Sequence, residues 1–179
     1  MLSLPNHQYI KIFSKMNVLD ESKLRKKIKN LIIIFIVFLS LSGITAFPLE
    51  WELSILTDLT KNAPTYISEW INSVYEAIKE TNSKYPYMSY GTDWLAFAHL
   101  VIAVAFIGPL KDPVRNIWVI QFGMYACLMV LPLALLCGPI RHIPFYWRII
   151  DCSFGIIGII PLYICYKYIL KLEQLTLNK

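Results

Sequence analysis

The chain has 179 residues, 56% of them hydrophobic, and a formal net charge of +5 at pH 7. Soluble domains average about 45–50% apolar residues, and here the excess is concentrated in long apolar runs, which indicates a membrane protein. The positive charge does not indicate nucleic-acid binding, because the basic residues lie beside the apolar runs and form no stripe on a soluble face. The expected surrounding is therefore a lipid bilayer, with no nucleic acid as a partner.

The N-terminal part combines a basic segment with an apolar run. Residues 1–30 end in a cluster of lysine and arginine, and residues 31–47 carry no charged side chain. Two interpretations stay open: residues 31–47 are a first transmembrane span (TM1), or the basic and apolar pattern is that of a cleaved signal peptide. The retained span is preferred, because no good A-x-A cleavage site follows the run and the leader would be long.

Residues 48–91 form the only sizeable segment between apolar runs, and they predict two helices. Within residues 64–81, apolar side chains recur at helical spacing on one face and polar side chains lie on the other. The apolar face consists of Ile67, Trp70, Ile71, Val74, Tyr75 and Ile78. A shorter helix before it is indicated by Trp51, Ile55, Leu56 and Leu59. We expect amphipathic helices that cap the spans or lie on the bilayer surface.

Three further apolar runs predict TM2 at residues 92–108, TM3 at residues 113–138 and TM4 at residues 144–166, followed by a tail at residues 167–179. Pro132 inside TM3 lacks an amide hydrogen and predicts a kink. In TM4 the small residues Cys152, Gly155 and Gly158 favour the close approach of a neighbouring helix. The predicted fold class is all-α: a four-helix transmembrane bundle with an amphipathic helical insertion between spans 1 and 2.

The positions of lysine and arginine predict the orientation. Basic residues that flank the spans concentrate on the cytoplasmic side of membranes. Twelve basic residues, in 1–30, in the loop between TM2 and TM3 and in the tail, fall on one side, and five fall on the other. All six acidic residues of 48–91 lie on the side with fewer basic residues. Both termini are therefore expected in the cytoplasm, with the helical insertion on the outer face.

Four ionisable residues lie within the predicted spans, where each is costly without a partner. Asp93 lies at the outer mouth of TM2, and His99 lies deeper in the same span. Arg148 and Asp151 are three residues apart and share a face of TM4. At about 1.5 Å per residue, His99 and Asp151 reach a common depth below the outer surface. We predict that the four residues form one network in the outer third of the bundle.

The predicted network has two interpretations. In the first it is structural and fixes helix register, as buried charge pairs often do. In the second it is a polar binding pocket with the aromatic residues Tyr90 and Trp94 at its mouth. In that pocket His99 would transfer protons, with Asp151 or Asp93 as its catalytic partner.

Other chemistries find no support in the sequence. The chain has no HExxH motif and no close histidine pair, so we expect neither a metal site nor a cofactor. The leading hypothesis is a non-enzymatic membrane protein, either an accessory subunit of a membrane-protein complex or a binder of a lipid-like or small apolar ligand. The alternative is a small intramembrane enzyme, an isomerase or hydrolase, that uses His99 with Asp151 or Asp93.

Three stretches carry a resemblance to a known family. They are SGITAFPLE (42–50), YPYMSYGTDWLAFAHLVIAVAFIGPLKDPVRNIWV (85–119) and GPIRHIPFYWRIIDCSFG (138–155). Together they resemble an uncharacterised bacterial family of small multi-span inner-membrane proteins, over roughly residues 42–168. The resemblance implies a bacterial inner membrane, whose outer face is periplasmic. It implies no activity, so it assigns no catalytic role.

Overall fold

The computed structural model describes the backbone of residues 6–177 and the side chains of residues 19–177, and within that range it is helical, with no strand. The helices are α1 (Asn6–Thr45), α2 (Leu49–Leu59), α3 (Thr65–Lys84), α4 (Tyr90–Ala105), α5 (Ile107–Lys111), α6 (Ile117–Pro132), α7 (Gly138–Ile140) and α8 (Phe145–Leu177). A short 3₁₀ turn, Pro86–Met88, precedes α4, and a π-helical turn, Leu133–Cys137, follows α6.

Four helical stretches are long and apolar enough to cross a membrane. They are Leu19–Thr45, Pro86–Lys111, Ile117–Ile140 and Phe145–Leu177. Each exceeds the roughly 20 residues that the hydrocarbon layer requires. The prediction of four apolar helices is confirmed, and these helices indicate a multi-pass membrane protein.

The first span is continuous with the basic segment before it. A single helix, α1, runs for 40 residues from Asn6 to Thr45. On its described side chains, Leu24, Ile28 and Ile32 are buried at intervals of four, as expected for one face of a helix. The first five residues of the predicted segment 1–30 and the last two of the tail 167–179 lie outside the described backbone.

Side-chain hydrogen bonds close the turn between the second and third spans. The Asp112 carboxylate accepts the backbone N–H of Arg115 at 3.1 Å, as a residue at a helix start does. The side-chain amide of Asn116 donates to the carbonyl oxygens of Gly108 and Asp112, at 3.3 and 2.9 Å. Both carbonyls also accept a backbone N–H, from Asp112 at 3.0 Å and from Asn116 at 3.2 Å, so the Asn116 side chain adds a second donor to each.

The proline in the third span changes the helix geometry. Pro132 has no amide hydrogen to donate, so the regular α6 ladder ends there. The next five residues, Leu133–Cys137, form a wider π-helical turn before α7 begins at Gly138. Such turns are rare and are frequently found at functional sites.

The helices divide into two compact units. The larger unit comprises residues 1–36 and 105–179, and the smaller unit comprises residues 37–104. The bulkiest buried side chains all belong to the larger unit, among them Phe106, Ile120, Leu162 and Ile169. Within it, α6 and α8 are in extensive contact.

Glycines on α8 bring it close to α6, as the small-residue pattern predicts. A Cβ atom added to Gly155 would overlap the carbonyl oxygen of Cys127, and one added to Gly158 would lie 3.0 Å from the Cys127 sulphur. The glycines therefore allow the α8 backbone to contact the α6 backbone directly. Close backbone approach through small residues is how helices associate in lipid, where burying apolar surface gives no advantage.

The smaller unit packs the end of α1 on α4 and α2 on α3. A Cβ atom on Gly43 of α1 would lie 2.7 Å from the carbonyl oxygen of Ala96, so that contact also requires glycine. Leu53 of α2 and Ile71 of α3 are buried. In α3 the six apolar residues from Ile67 to Ile78 are buried or half-buried, and all the polar residues between them except Ser68 are exposed.

We expect Gly155→Ala to lower the thermal midpoint of the protein in mild detergent. The added methyl group meets a backbone atom that cannot rotate away, and overpacking of this kind costs about 1–3 kcal/mol. Gly91→Ala is the matched control: no atom lies within 4 Å of its added Cβ, and helical Gly→Ala exchange is favourable by up to about 1 kcal/mol. Equal midpoints for the two variants would contradict the close α6–α8 packing.

Candidate functional site

The four ionisable residues of the predicted network fall in different units. Asp93 and His99 lie on α4 of the smaller unit, and Arg148 and Asp151 lie on α8 of the larger unit. Their joint network stays a prediction. Each pair is described within its own unit below.

His99 is half-buried on α4, and its ring is oriented by the helix backbone. The Nδ1 atom lies 2.8 Å from the carbonyl oxygen of Leu95. Because a carbonyl oxygen only accepts hydrogen bonds, Nδ1 carries the hydrogen and Nε2 is left as an acceptor in the neutral ring. A Cβ atom added to Gly43 of α1 would lie 3.0 Å from the His99 Cβ. The end of α1 therefore packs closely against this part of α4 and helps to hold His99 in place.

The predicted aromatic binding residues form a row on the exposed side of α4. The rings of Tyr90 and Trp94 meet edge to face at 5.9 Å, and those of Trp94 and Phe97 at 6.0 Å. All three residues are exposed. Asp93, next to Trp94, is half-buried, and its backbone N–H donates to the carbonyl of Ser89 at 3.1 Å.

Arg148 packs as a structural side chain within the larger unit. A Cβ atom on Gly138 would overlap its Cδ, so the absence of a side chain at Gly138 makes room for the arginine stem. The guanidinium carbon lies 5.2 Å from the centre of the Phe145 ring, and the buried Nε has no hydrogen-bond partner. Although helical spacing places Asp151 on the same face, the two do not form an ion pair.

Asp151 lines a groove between the third and fourth spans, together with Arg141. We call it the α6–α8 groove; its volume is about 240 Å³, and its apolar wall includes Val130, Leu133 and Ile143. The π-helical turn supplies part of this wall, since Leu133 is its first residue. Within the described residues of the larger unit, neither charged side chain has an ion-pair partner.

The end of α7 sets the position of Arg141. The backbone N–H of Ile143 donates to the carbonyl of Gly138 at 2.9 Å, and that of His142 donates to Pro139 at 3.1 Å. This is the Schellman pattern of helix termination, and it requires a left-handed residue. His142 takes that role with φ 58°, where glycine is usual. The turn therefore fixes the positions of Arg141 and Ile143, which both line the groove.

A second cavity, which the sequence did not predict, lies in the smaller unit. We call it the α2–α3 cleft; its volume is about 430 Å³. A chain of polar side chains runs along it, since the Asn82 amide donates to Glu50 at 2.6 Å and the Ser89 hydroxyl donates to Asn82. Thr92 also lines the cleft, and its hydroxyl donates to the carbonyl of Ser89 at 2.6 Å.

One sequence signal could have revealed the cleft. The apolar face of α3 passes through Ile71, Tyr75 and Ile78, and the next position at the same spacing is Asn82. An amide on an otherwise apolar face needs a hydrogen-bond partner. The partner, Glu50, is 32 residues away in the chain, so local periodicity could not identify it.

Metal ligands do not cluster in the described part of the chain. No three histidine, cysteine, aspartate or glutamate side chains come together there in a way that could hold an ion. The four cysteines, Cys127, Cys137, Cys152 and Cys165, are all free.

Comparison of the chain with protein-family models, with curated proteins and with solved structures finds no match. Functional inference therefore depends on the geometry of the groove and the cleft.

We expect Arg148→Met to keep or raise the thermal midpoint in detergent. Methionine preserves the apolar stem beside Gly138 and removes a buried Nε that has no partner, and an unsatisfied buried polar group costs about 1–3 kcal/mol. The control is Arg115→Met at an exposed position, which should change little. A clear loss of stability in Arg148→Met alone would favour the predicted four-residue network instead.

Proposed function

We propose that the protein is a non-enzymatic multi-pass membrane protein that binds a lipid-like ligand in the α6–α8 groove. One observation supports this most directly: Asp151 and Arg141 line the same groove without forming an ion pair with each other. Ionisable groups near the hydrocarbon layer are costly unless they are paired. A ligand that carries both charges would pair both side chains at once.

The groove is small, so we propose that only the head group of the lipid enters it. At about 240 Å³ it is smaller than the roughly 300–1,000 Å³ of pockets that enclose drug-sized ligands. A zwitterionic head group could place its phosphate on Arg141 and its ammonium on Asp151, since guanidinium binds phosphate well. The acyl chains would then lie along exposed apolar side chains of the third span, such as Leu136 and Ile140.

We further propose a bacterial inner-membrane location with both termini in the cytoplasm. The support is the distribution of charge. Lysine and arginine flank the spans at the start of α1, around the α5–α6 turn and at the end of α8, and acidic residues predominate in α2 and α3. The choice of a bacterial inner membrane depends on the family resemblance, and the orientation depends on charge alone.

A second candidate function is a small intramembrane isomerase or hydrolase. It is favoured by the His99 ring, because the bond from Nδ1 to Leu95 leaves Nε2 free to accept a proton as a general base does. It has less support than lipid binding, since His99 lines neither the groove nor the cleft.

We expect native mass spectrometry in mild detergent to show preferential retention of a zwitterionic phospholipid over an anionic one. Asp151→Asn and Arg141→Gln should each reduce that retention about tenfold, because hydrogen bonds to charged groups contribute about 1.5–3 kcal/mol. Glu173→Gln on α8, outside the groove, is the control and should retain lipid like the wild type. Equal retention by all four proteins would remove the groove as the binding site. Co-purification of a partner protein without lipid would support an accessory-subunit role instead.

The orientation predicts a labelling pattern in spheroplasts, measured with the four native cysteines replaced by alanine. Lys79→Cys on α3 should react with a membrane-impermeant maleimide added outside. Lys111→Cys at the end of α5 should react only after the membrane is permeabilised. The reverse pattern would invert the proposed orientation, and outside labelling of both would exclude a span between them.

A further inference from the structure

The serine and threonine hydroxyl groups of the α2–α3 cleft can only accept hydrogen bonds from a ligand. Besides the Tyr75 phenol, the three hydroxyl groups of the cleft belong to Ser54, Ser89 and Thr92. The Ser54 hydroxyl donates to the carbonyl of Trp51 at 2.7 Å, and the other two donate to Asn82 and to the Ser89 carbonyl. A hydroxyl has one hydrogen, so each of these groups has already used it. The hydroxyl oxygens that remain can only accept hydrogen bonds from a ligand.

Glu50 adds a negative charge that no lysine neutralises. One oxygen of its carboxylate accepts the Asn82 amide at 2.6 Å, and the other has no partner within the smaller unit. The smaller unit holds three lysines, and each is engaged elsewhere. Lys61 pairs with Asp58 at 2.7 Å, Lys84 pairs with Glu80 at 2.5 Å, and the Lys79 ammonium lies 5.4 Å from the centre of the Tyr75 ring.

Aromatic side chains complete the lining. Phe47, just before α2, and Trp51, in its first turn, are exposed, whereas the Tyr75 ring on α3 already contacts the Lys79 ammonium. The face of an aromatic ring attracts cations, and tryptophan does so most strongly. The cleft therefore combines a carboxylate, hydroxyl acceptors and aromatic rings, and no basic side chain lines it.

We infer that the α2–α3 cleft binds the ammonium group of an amine ligand. The ammonium would pair with the free oxygen of Glu50, donate to the hydroxyl oxygens and lie against Trp51. The volume of about 430 Å³ falls in the range of small-molecule sites. The amine has two sources that share this chemistry: a small soluble amine, or the head group of an amine-bearing membrane lipid. This site is distinct from the α6–α8 groove and contains none of its residues.

Isothermal titration calorimetry of the full-length protein in detergent tests the proposal with ethanolamine and choline as probes. The wild type should bind at least one of them, and Glu50→Gln should weaken that binding at least tenfold. The variant keeps an oxygen that can accept the Asn82 amide, so its thermal midpoint should stay near that of the wild type. Trp51→Ala should weaken choline more than ethanolamine, because the quaternary ammonium cannot donate hydrogen bonds and depends more on the ring.

Two control variants test whether amine binding depends on Glu50 itself. One removes a carboxylate outside the cleft, and the other removes the carboxylate of the α6–α8 groove. Glu69→Gln removes an exposed carboxylate on α3 outside the cleft and should bind like the wild type. Asp151→Asn should also bind amines normally, even if it loses lipid. No binding by the wild type, or equal binding by Glu50→Gln and wild type, would overturn the proposal.

The source of the amine is resolved by repeating the titration in nanodiscs. If phosphatidylethanolamine nanodiscs suppress choline binding and phosphatidylglycerol nanodiscs do not, the occupant is a lipid head group. Equal binding in both would identify a soluble amine.

Discussion

The direct backbone contact between α6 and α8 determines much of the larger unit. In lipid, apolar side chains gain nothing by leaving their surroundings, so helices associate where their backbones can approach closely. Gly155 provides that approach at Cys127, and no larger residue fits there without a shift of the backbone. The α6–α8 groove lies between the same two helices, where the π-helical turn after Pro132 replaces the regular ladder. Gly155 thus allows the tight packing of the two helices, and the turn after Pro132 contributes to the opening between them.

The sequence was sufficient for features that depend on local composition. Four long apolar runs predicted the four apolar helices. Pro132 predicted where the third span is irregular, and Gly155 predicted where the fourth is closely packed. The sequence could not predict the groove or the cleft, for a physical reason. Glu50 meets Asn82 across 32 residues, and Arg141 reaches the groove through the Schellman turn at His142, so both depend on contacts that no local pattern encodes.

The ionisable residues show where reasoning from spacing is limited. Helical periodicity correctly places Arg148 and Asp151 on one face of α8, but it does not say which neighbour each side chain prefers. Arg148 turns toward Gly138 and Phe145, and Asp151 faces the groove. The network that would join them to Asp93 and His99 stays a prediction. Each compact unit instead has a separate cavity, which is largely apolar in the larger unit and mixed in the smaller unit.

The length of α1 exceeds what a single span needs. Forty helical residues extend for about 60 Å, twice the roughly 30 Å of hydrocarbon that a span must cross. The basic part of α1 is not free-standing, because Leu24 and Ile28 are buried and the Lys27 ammonium lies 5.5 Å from the centre of the Tyr168 ring on α8. The first and last helices of the chain are therefore in contact through their charged segments, so a substitution in either segment would disturb the packing of the other.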